Sequence, residues 1–396
     1  MKNITGLSFA GKRVLIRVDF NVPLDENFKI TDDSRIVATL PTIKKVITDG
    51  GKAIIISHLG RPKYGFEEKF SLKHIVQHLS FLLDRDVAFS SDCIGENAAN
   101  DVAKMQNKDV LLLENLRFYK EEKSGDKLFA KQLSELADIY VNDAFGAAHR
   151  AHVSTTIIPQ FFPNDKYFGL LLKKEIDNLE FALRSPKEPF TAIIGGAKIT
   201  GKIDVITALL DKVDNLIIGG GMAYTFAKSM GANIGNSLVE DEKIGLAKQL
   251  IELAKRKGVN IVLPSDSVNA NAFDNNAEIN ISSIETIPDG FMGLDIGKYS
   301  ISTFSEIISA SKTIIWNGPM GVFEMSNFEK GTKEIATAIC KATEMGAYSL
   351  IGGGDSVAAI RKFGMEKKVS HISTGGGAML EYLEGKKLPG VEAILS

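Results

Sequence analysis

The sequence predicts an α/β protein made of two doubly wound, Rossmann-like parallel-sheet domains that are joined by a long hinge helix. Three observations carry this prediction. Short apolar runs alternate with longer amphipathic stretches, as in consecutive βαβ units. Several runs, such as Ala53–Ile56 and Val110–Leu113, are apolar on both faces, which is typical of strands covered by helices on both sides. The length of 396 residues also favours two domains over one.

The first half of the chain follows this alternation from its start. A strand is expected over Arg13–Val18 because its centre is an apolar run, and a helix over Asp33–Thr48 because apolar residues recur there at helical spacing. The same two patterns predict strands over Lys52–Ile56, Val87–Phe89, Asp109–Leu113 and Ile139–Val141, and helices over Leu72–Leu83 and Asp126–Leu136.

A break over Pro159–Lys166 separates this half from a long amphipathic helix over Phe168–Leu183. Pro186 and Pro189 follow that helix and end it, because proline lacks the backbone N–H and clashes with the preceding turn. The alternation then restarts. It predicts strands over Thr191–Ile194, Asn215–Ile218, Ile261–Leu263, Thr313–Trp316, Tyr348–Ile351 and Val369–Ile372, and helices over Lys202–Leu210, Ala223–Met230 and Asp241–Lys257.

Composition excludes several classes of protein. Hydrophobic residues make up 44% and charged residues 24% of the chain, unlike a disordered protein or a coiled coil. A net charge of −2 argues against general binding to nucleic acid or to a membrane surface. No apolar run approaches the roughly 18 residues of a membrane span, and residues 1–11 lack the apolar core of a secretory signal, so we expect a cytoplasmic protein. Cys93 and Cys340 are too few for a disulfide framework and are expected to be buried thiols in a reducing compartment.

Polar side chains follow four of the predicted strands in the first half. Because the carboxyl ends of parallel strands lie at one edge of a sheet, these residues should meet there. Seven of the ten arginines and five of the six histidines precede residue 153, which favours a small anionic ligand. Surface arginines are usually solvated, so the argument depends on their shared placement. The candidates are Asp19, Asn21, Arg35, His58, Gly60, Arg61, Asn115, Arg117, Asn142, Asp143, His149 and Arg150.

Glycine-rich turns follow strands in the second half. The segment Gly195–Lys202 lies between a strand and a helix, but Ile203 stands where a Walker A loop needs Ser or Thr, so we expect a phosphate-contacting turn with two lysines instead. The turn over Gly352–Ser356 has two interpretations: Asp355 begins a helix, or it binds Mg2+ together with nucleotide phosphates. Thr374–Gly377 opens a last helix, whose free N–H groups suit an anion.

Other chemical motifs are missing or weak. The sequence contains no Gly-x-Ser-x-Gly elbow and no His-Glu-x-x-His motif. His74 and His78 have the spacing of a metal pair on a helix, but no third ligand is evident, so surface or packing histidines are expected. Trp316 lies in an apolar strand and is expected in the core.

Taken together, the motifs resemble the phosphoglycerate kinase family. The resemblance runs in order through essentially the whole chain. The matching segments are Arg17–Pro23, Ile30–Ile36, Ser57–Pro62, Leu113–Phe118, Asn142–His152, Gly195–Lys198, Gly219–Ala223, Asp295–Gly297, Trp316–Glu324, Gly352–Asp355, Ser373–Gly377 and Leu388–Val391.

The resemblance implies an enzyme of glycolysis that transfers a phosphoryl group reversibly between 1,3-bisphosphoglycerate with ADP and 3-phosphoglycerate with ATP. It implies a phosphoglycerate-binding domain over residues 1–167, completed by the tail 377–396, and a Mg-nucleotide domain over residues 168–376. It also implies a monomer with small-molecule partners. Ala147 stands where the family often has Thr, which leaves the hydrogen bonding beside His149 and Arg150 open.

The resemblance also assigns roles to residues. The phosphoglycerate would be held by Asp19, Asn21, Arg35, His58, Gly60, Arg61, Arg117 and Arg150. The nucleotide would be held by Lys198, Lys202, Gly219, Gly220, Gly293, Asn317, Pro319, Glu324, Gly353, Gly354, Asp355 and Ser356, with Asp355 on the Mg2+. Around the transferred phosphoryl group we expect Arg35, Lys198 and the amides of Gly375 and Gly376.

The acceptor in the ATP-consuming direction is a carboxylate, which is ionised at pH 7, so the expected mechanism is in-line transfer with domain closure and without a general base. Three rival functions make different predictions. Another kinase or ligase would use ATP without phosphoglycerate, and an anion-binding protein would need neither Asp355 nor the two lysines. A nicotinamide-dependent dehydrogenase would need a Gly-x-Gly-x-x-Gly turn followed by an acid, which the sequence lacks.

Overall fold

The structure is a computed structural model that describes residues 2–63 and 65–396. It divides into two compact units: the chain up to Asp177 together with Lys387–Ser396, and Asn178–Lys386. The predicted junctions lie at 167/168 and 376/377. The boundaries between the two units therefore lie inside the connecting helix, after Asp177, and beyond the helix that Gly376 begins, after Lys386. Which ligand each unit binds stays a prediction.

The first unit contains one parallel sheet of six strands. Its strand order is β3-β4-β2-β1-β5-β6, with residue registers such as Ile16 opposite Ile55 and Val14 opposite Ile139. Its elements are β1 (Arg13–Arg17), α1 (Ser34–Thr48), β2 (Lys52–Ile56), α2 (Lys73–Leu83), β3 (Val87–Ser90), α3 (Gly95–Lys104), β4 (Val110–Leu113), α4 (Glu121–Ser124), α5 (Lys127–Ser134), β5 (Ile139–Asn142), β6 (Lys166–Phe168), the start of α6 (Leu170–Arg184) and, near the C-terminus, α14 (Pro389–Leu395).

The second unit contains another parallel sheet of six strands, in the order β10-β8-β7-β15-β16-β17. Its elements are β7 (Phe190–Ile194), α7 (Ile203–Leu209), β8 (Asn215–Ile218), α8 (Met222–Ser229), β9 (Asn233–Ile234), α9 (Ile244–Lys257), β10 (Asn260–Val262), β11 (Asp266–Ala270), β12 (Ile279–Ser283), β13 (Thr286–Ile287), β14 (Met292–Ile296), α10 (Lys298–Ala310), β15 (Thr313–Asn317), α11 (Lys330–Glu344), β16 (Tyr348–Gly352), α12 (Gly354–Lys362), β17 (His371–Ile372) and α13 (Gly376–Leu383).

The central strands are buried on both faces, as the sequence predicted. Every residue of β4 and β15 is buried, and so are residues 53–56 of β2. Helices therefore cover both faces of each sheet, which confirms the α/β prediction with two parallel sheets. None of the helices that the structure describes is long and apolar enough to cross a bilayer.

Several elements were not predicted. The helix α3 was missed because its mean hydropathy is low and it lacks a clear apolar pattern. The three-stranded antiparallel sheet β12-β11-β14 was missed because it contains polar segments, such as strand β12, whose residues are alternately exposed. The predicted helix over Asp241–Lys257 begins with a 3₁₀ turn and becomes α-helical at Ile244.

The connecting helix begins two residues later than predicted, because Lys166–Phe168 pairs with β5 as an edge strand. Asp143 holds the start of the helix: its Oδ1 accepts a hydrogen bond from the backbone N of Leu172 at 3.1 Å. A Cβ on Gly169 would lie 2.1 Å from that oxygen, so the close approach requires glycine. Burial raises the pKa of Asp143 to about 7.

Candidate functional site

The carboxyl ends of four strands in the first unit meet at one sheet edge. The strands β4, β2, β1 and β5 are neighbours and all run parallel, so the residues that follow them emerge side by side. The sequence identified these polar residues, and the strand order explains why they lie together. We call Asp19, Asn21, Arg35, His58, Gly60 and Arg117 the strand-edge cluster.

Arg35 organises one side of the strand-edge cluster. Its Nη1 donates to Oδ2 of Asp19 and to the backbone O of Asn21, both at 3.1 Å. Oδ1 of Asn21 in turn accepts from the backbone N of Gly60 at 2.8 Å. The helix α1, the end of β1 and the end of β2 are thus connected through three side chains, which fixes the position of the guanidinium.

His58 lies in the interior of the same cluster. Burial, followed by the positive charge of Arg17 and then of Arg117, holds the pKa of His58 well below its usual value. Its Nδ1 lies 3.2 Å from Nη2 of Arg17 and 3.8 Å from Oδ1 of Asp19. The imidazole is therefore neutral at physiological pH.

Arg117 provides a second guanidinium beside Gly60. Its Nη1 donates to the backbone O of Gly60 at 2.8 Å, whereas its Nε is buried and has no hydrogen-bond partner among the described residues. Burial lowers the pKa of Arg117 to about 10, so it remains charged at neutral pH. A buried donor without a partner is costly, so the described protein groups do not fully satisfy this guanidinium.

Arg61 and Arg150 are exposed, and their side chains stand apart from this hydrogen-bonded network. Both act on it electrostatically: Arg61 is among the charges that lower the pKa of Arg117, and Arg150 is among those that lower the pKa of His152. The structure thus brings six of the eight predicted phosphoglycerate residues together in the strand-edge cluster. The other two, Arg61 and Arg150, influence this region through their charge.

Some buried residues of this region were not singled out from the sequence. Arg17, Glu122 and Ser154 are fully buried and hydrogen-bonded to one another through Ser154. The sequence offered one signal for this buried group, the presence of an arginine in an apolar strand. A buried charge needs polar partners, so such an arginine predicts a buried polar group around it. His152 is a further case: burial, and then the charge of Arg117, lowers its pKa to about 4.

In the second unit, the turns that follow neighbouring strands hold one another through backbone hydrogen bonds. The backbone N of Gly195 donates to Asn317 O at 2.9 Å, and the N of Gly196 donates to Pro319 O at 3.0 Å. The N of Gly220 donates to Met320 O at 3.1 Å. We call the turns Gly195–Lys202, Gly219–Gly221, Asn317–Pro319 and Gly352–Ser356 the glycine cluster.

Two glycines of this cluster are required by the geometry. Gly220 has a φ of +67°, and a Cβ there would lie 2.5 Å from the backbone N of Gly196. Gly353 has a φ of +90°, and a Cβ there would lie 2.8 Å from Nδ2 of Asn317. Any larger residue would force the turns apart, because the groups facing Gly220 belong to the backbone.

Lys202 and Asn317 form the polar centre of the glycine cluster. Nζ of Lys202 donates to the backbone O of Asn317 at 3.0 Å and to its Oδ1 at 2.5 Å. Burial lowers the pKa of Lys202 to about 8. Nδ2 of Asn317 is buried and has no hydrogen-bond partner in the described part of the chain, so both of its N–H donors are unpaired.

The other lysine of the turn, Lys198, is exposed. Beside it, the carboxylate of Glu240 accepts hydrogen bonds from the backbone N of Ile199 and from the hydroxyl of Thr200. Burial would raise the pKa of Glu240, but the hydrogen bonds from Thr200 and Ile199 lower it. Donors of this turn are therefore already paired with a carboxylate of the protein, and its affinity for phosphate stays a prediction.

The turn between β16 and α12 carries the candidate metal ligand. Asp355 is exposed in the first turn of α12, whereas Ser356 is buried and its Oγ accepts from the backbone N of Gly318 at 2.5 Å. Gly376, at the start of α13, lies against the same turn, since a Cβ on it would be 2.9 Å from Cα of Gly353. Gly354 has open space in the direction of a Cβ.

The remaining predicted nucleotide or catalytic residues are Gly219, Gly293, Glu324 and Gly375. Gly219 packs against Met320, and Gly293 lies in β14 against Tyr224, too close for any side chain. Glu324 is exposed, and Gly375 is buried at the N-terminal end of α13.

The residues that were expected to pack in the fold, and to take no part in a site, make packing contacts in the structure. Trp316 is fully buried, and Cys93 and Cys340 are free and buried. His74 stacks on Phe28, with ring centroids 4.3 Å apart, and Nε2 of His78 lies 2.9 Å from Asp33. The described residues contain no group of three or more His, Cys, Asp or Glu placed to hold a metal ion.

Comparison with known proteins gives a consistent result. The family model described as phosphoglycerate kinase matches residues 4–386. The chain is 53% identical over 415 residues to a phosphoglycerate kinase of Porphyromonas gingivalis, covering 99% of each protein. It is 54% identical to a cytosolic phosphoglycerate kinase of Triticum aestivum, over 97% of this chain and 95% of that one. The structure of phosphoglycerate kinase from Coxiella burnetii superposes with a TM-score of 0.89 at 40% identity, covering 99% of this chain and 98% of the other.

Proposed function

The chain belongs to the phosphoglycerate kinase family, and from that premise we propose which of its residues carry out the family's reaction. The reaction is the reversible phosphoryl transfer between 1,3-bisphosphoglycerate with ADP and 3-phosphoglycerate with ATP, a step of glycolysis. The observation that carries the residue assignment is the strand-edge cluster, where charged and amide groups from neighbouring parallel strands form one hydrogen-bonded network.

The phosphoglycerate binds at the strand-edge cluster. Its carboxylate and phosphate are anionic, and Arg35 and Arg117 offer guanidinium groups that are positioned by Asp19 and Gly60. His58 and Asn21 complete the cluster, and Arg61 and Arg150 at its margin raise the local positive potential. Positioned donors lose little conformational entropy on binding, which favours a small substrate.

The nucleotide binds at the glycine cluster. The half-buried Lys202 and the buried Asn317 supply donors at its centre, and Gly220 and Gly353 allow the turns of the cluster to pack closely together. The remaining proposed nucleotide residues are Lys198, Gly219, Gly293, Pro319, Glu324, Gly354, Asp355 and Ser356.

Asp355 is the proposed ligand of Mg2+. Its carboxylate is exposed, and its charge partly opposes the burial that lowers the pKa of Lys202, so the two groups are within electrostatic range. One carboxylate together with nucleotide phosphates is the ligand set that Mg2+ prefers, so the residues present fit the ion. When bound, the ion would neutralise part of the charge on the phosphates.

Catalysis requires positioning and charge stabilisation. The acceptor carboxylate needs no deprotonation at pH 7, so no general base is required. Arg35, Lys198 and the amides of Gly375 and Gly376 stabilise the negative charge of the phosphoryl group during in-line transfer. Because the two substrate sites are on separate units, substrate binding closes the units around the reacting groups and excludes water.

We further propose a monomer that acts in the cytoplasm. Two buried free thiols suit a reducing compartment, and one of the relatives is cytosolic.

A coupled assay tests the proposed function. Purified protein is mixed with 3-phosphoglycerate, ATP and Mg2+, and the 1,3-bisphosphoglycerate formed is consumed by a dehydrogenase that oxidises NADH. We expect turnover only when all three components are present. ATP binding without turnover, in folded protein, would contradict the assignment of the acid substrate and favour a different kinase or ligase.

A further inference from the structure

A buried arginine beside the strand-edge cluster has no part in the function described so far. Arg17 is the last residue of β1, and its side chain is fully buried. Its Nε donates to Oγ of Ser154 at 2.8 Å, its Nη1 donates to the backbone O of Val18, and its Nη2 lies 3.2 Å from Nδ1 of His58. With all three nitrogens engaged, Arg17 acts through the groups that it contacts.

Glu122 provides the opposite charge beyond Ser154. Its side chain is fully buried and accepts hydrogen bonds from Oγ of Ser154 at 2.6 Å and from the backbone N of Ser154 at 3.0 Å. The hydroxyl of Ser154 therefore accepts from Arg17 and donates to Glu122. Burial raises the pKa of Glu122 and the charge of Arg17 opposes that rise, so the two groups favour each other's charged forms in this interior.

Arg17 determines which ring nitrogen of His58 carries the proton. A guanidinium group can only donate, so Nδ1 of His58 must accept with its lone pair. Oδ1 of Asp19 lies 3.8 Å from Nδ1, too far to take a hydrogen bond from it. The charged or titratable groups that face His58 are Asp19, Arg17, Arg117, His152 and Arg35. A neutral ring with an accepting Nδ1 has its single proton on Nε2.

We propose that Arg17, held by Ser154 and Glu122, is a positioning residue that makes Nε2–H of His58 a hydrogen-bond donor to an anionic oxygen of the phosphoglycerate. The identity of that ligand rests on the proposed function. Among the described residues Nε2 has no hydrogen-bond partner, so the donor is left for a ligand. The opposite tautomer would present a lone pair at Nε2 and repel the same oxygen.

The tautomer can be measured without any substrate. In protein labelled with 15N-histidine, long-range 1H–15N spectra distinguish protonated from unprotonated ring nitrogens, and the His58→Gln variant identifies the signals of His58. At pH 7 we expect a protonated Nε2 and an unprotonated Nδ1. A protonated Nδ1, or a fully protonated ring, would overturn the proposal whatever the activity of the protein.

Ser154→Ala tests the role of the supporting residues. The variant removes the hydroxyl between Arg17 and Glu122, so we expect a mixture of His58 tautomers. We also expect the KM for 3-phosphoglycerate to rise about tenfold or more with a smaller change in kcat, because a hydrogen bond to a charged group typically contributes a factor of this size. Arg17→Met removes every donor to Nδ1 of His58 at a similar side-chain length and should act in the same direction. A folded Arg17→Met variant with the original tautomer and KM would overturn the proposal.

Tyr140→Phe is the matched control. Tyr140 is also fully buried, and its hydroxyl donates to the backbone O of the same Ser154 at 2.6 Å, but Arg17 makes its hydrogen bonds to Ser154, Val18 and His58 and none to Tyr140. We expect it to leave the His58 spectrum and the KM unchanged. Equal effects of Tyr140→Phe and Ser154→Ala would indicate a general structural role and contradict the proposal. If the unmodified protein shows no phosphoglycerate turnover, the proposed function fails, while the tautomer measurement still decides this inference.

Discussion

Burial lowers the pKa of three basic side chains in the two clusters, Lys202, Arg117 and His58. Lys202 loses part of its affinity for a proton, whereas Arg117 remains charged because the usual pKa of a guanidinium is much higher. Burial lowers the pKa of His58 for the same reason that it lowers the pKa of Lys202: water no longer stabilises the cationic form of the buried group. Arginine therefore suits sites where the charge must persist after burial, and lysine suits sites where the charge responds to pH.

Arg35 is predicted to stabilise the transferred phosphoryl group. We expect Arg35→Ala to lower kcat by about 10²–10³-fold while the protein stays folded, because removing one donor to a developing charge typically has this effect. Steady-state kinetics in the coupled assay measures it. Arg85→Ala is the control, since Arg85 is an exposed arginine of the same unit outside the strand-edge cluster. A near-normal kcat for Arg35→Ala would exclude this role.

The lowered pKa of Lys202 predicts that kcat/KM for ATP depends on pH. Its pKa of about 8 in the free protein means that the side chain is charged below pH 8 and becomes neutral above it. We expect kcat/KM for ATP to fall above about pH 8, since kcat/KM reports groups of the free enzyme. Lys202→Arg stays charged and should abolish this decline. An identical decline in Lys202→Arg would show that another group is responsible.

At the scale of secondary structure, strand ends and turns position the proposed groups. Each proposed site lies at the carboxyl ends of adjacent parallel strands, where the helices that follow begin. In the second unit, backbone hydrogen bonds join the turns to one another, so a substitution in one turn displaces its neighbours. In the first unit, side chains such as Asn21 and Arg117 make the equivalent connections.

Gly220→Ala tests the close packing of the turns. The added Cβ would lie 2.5 Å from the N of Gly196 and 2.8 Å from the O of Pro319, and neither backbone atom can rotate away. We expect ATP binding to weaken strongly and the melting temperature to fall, as measured by calorimetry. Gly231→Ala is the matched control: its φ of +96° imposes similar backbone strain, of about 1–2 kcal/mol, but nothing lies within 4 Å of the added Cβ. If both variants bind ATP equally, steric packing at Gly220 is unimportant.

At the scale of the whole molecule, the division into two units separates the two proposed sites. The strand-edge cluster belongs to the unit that contains the chain up to Asp177 and Lys387–Ser396, and the glycine cluster belongs to Asn178–Lys386. The C-terminal segment returns to the first unit, where the backbone N of Gly390 donates to Ala148 O at 2.8 Å. The chain therefore passes from one unit to the other twice.

Small-angle X-ray scattering tests closure of the units. With 3-phosphoglycerate and MgADP, a pair that cannot react, we expect a smaller radius of gyration than with either ligand alone, since only the pair offers contacts to both units. An unchanged radius of gyration at saturating concentrations of both ligands would contradict domain closure.

Local sequence patterns were sufficient to predict the main strands, the buried Trp316 and the polar residues that follow each strand. This worked because apolar periodicity and turn chemistry are properties of neighbouring residues. The polar antiparallel strand β12 and the helix α3 lacked such a pattern and were missed.

Only the tertiary structure decided which of these residues touch. The order β3-β4-β2-β1-β5-β6 places β4 between β2 and β3, and no local signal specifies that insertion. The same non-local pairing buries Arg17 against His58 and places Glu122 within reach through Ser154. The sequence by itself therefore determined which groups are available for chemistry. Their burial, their pKa values and the tautomer of His58 depend on residues far apart in the chain, because desolvation and hydrogen bonding arise only when those residues are packed together.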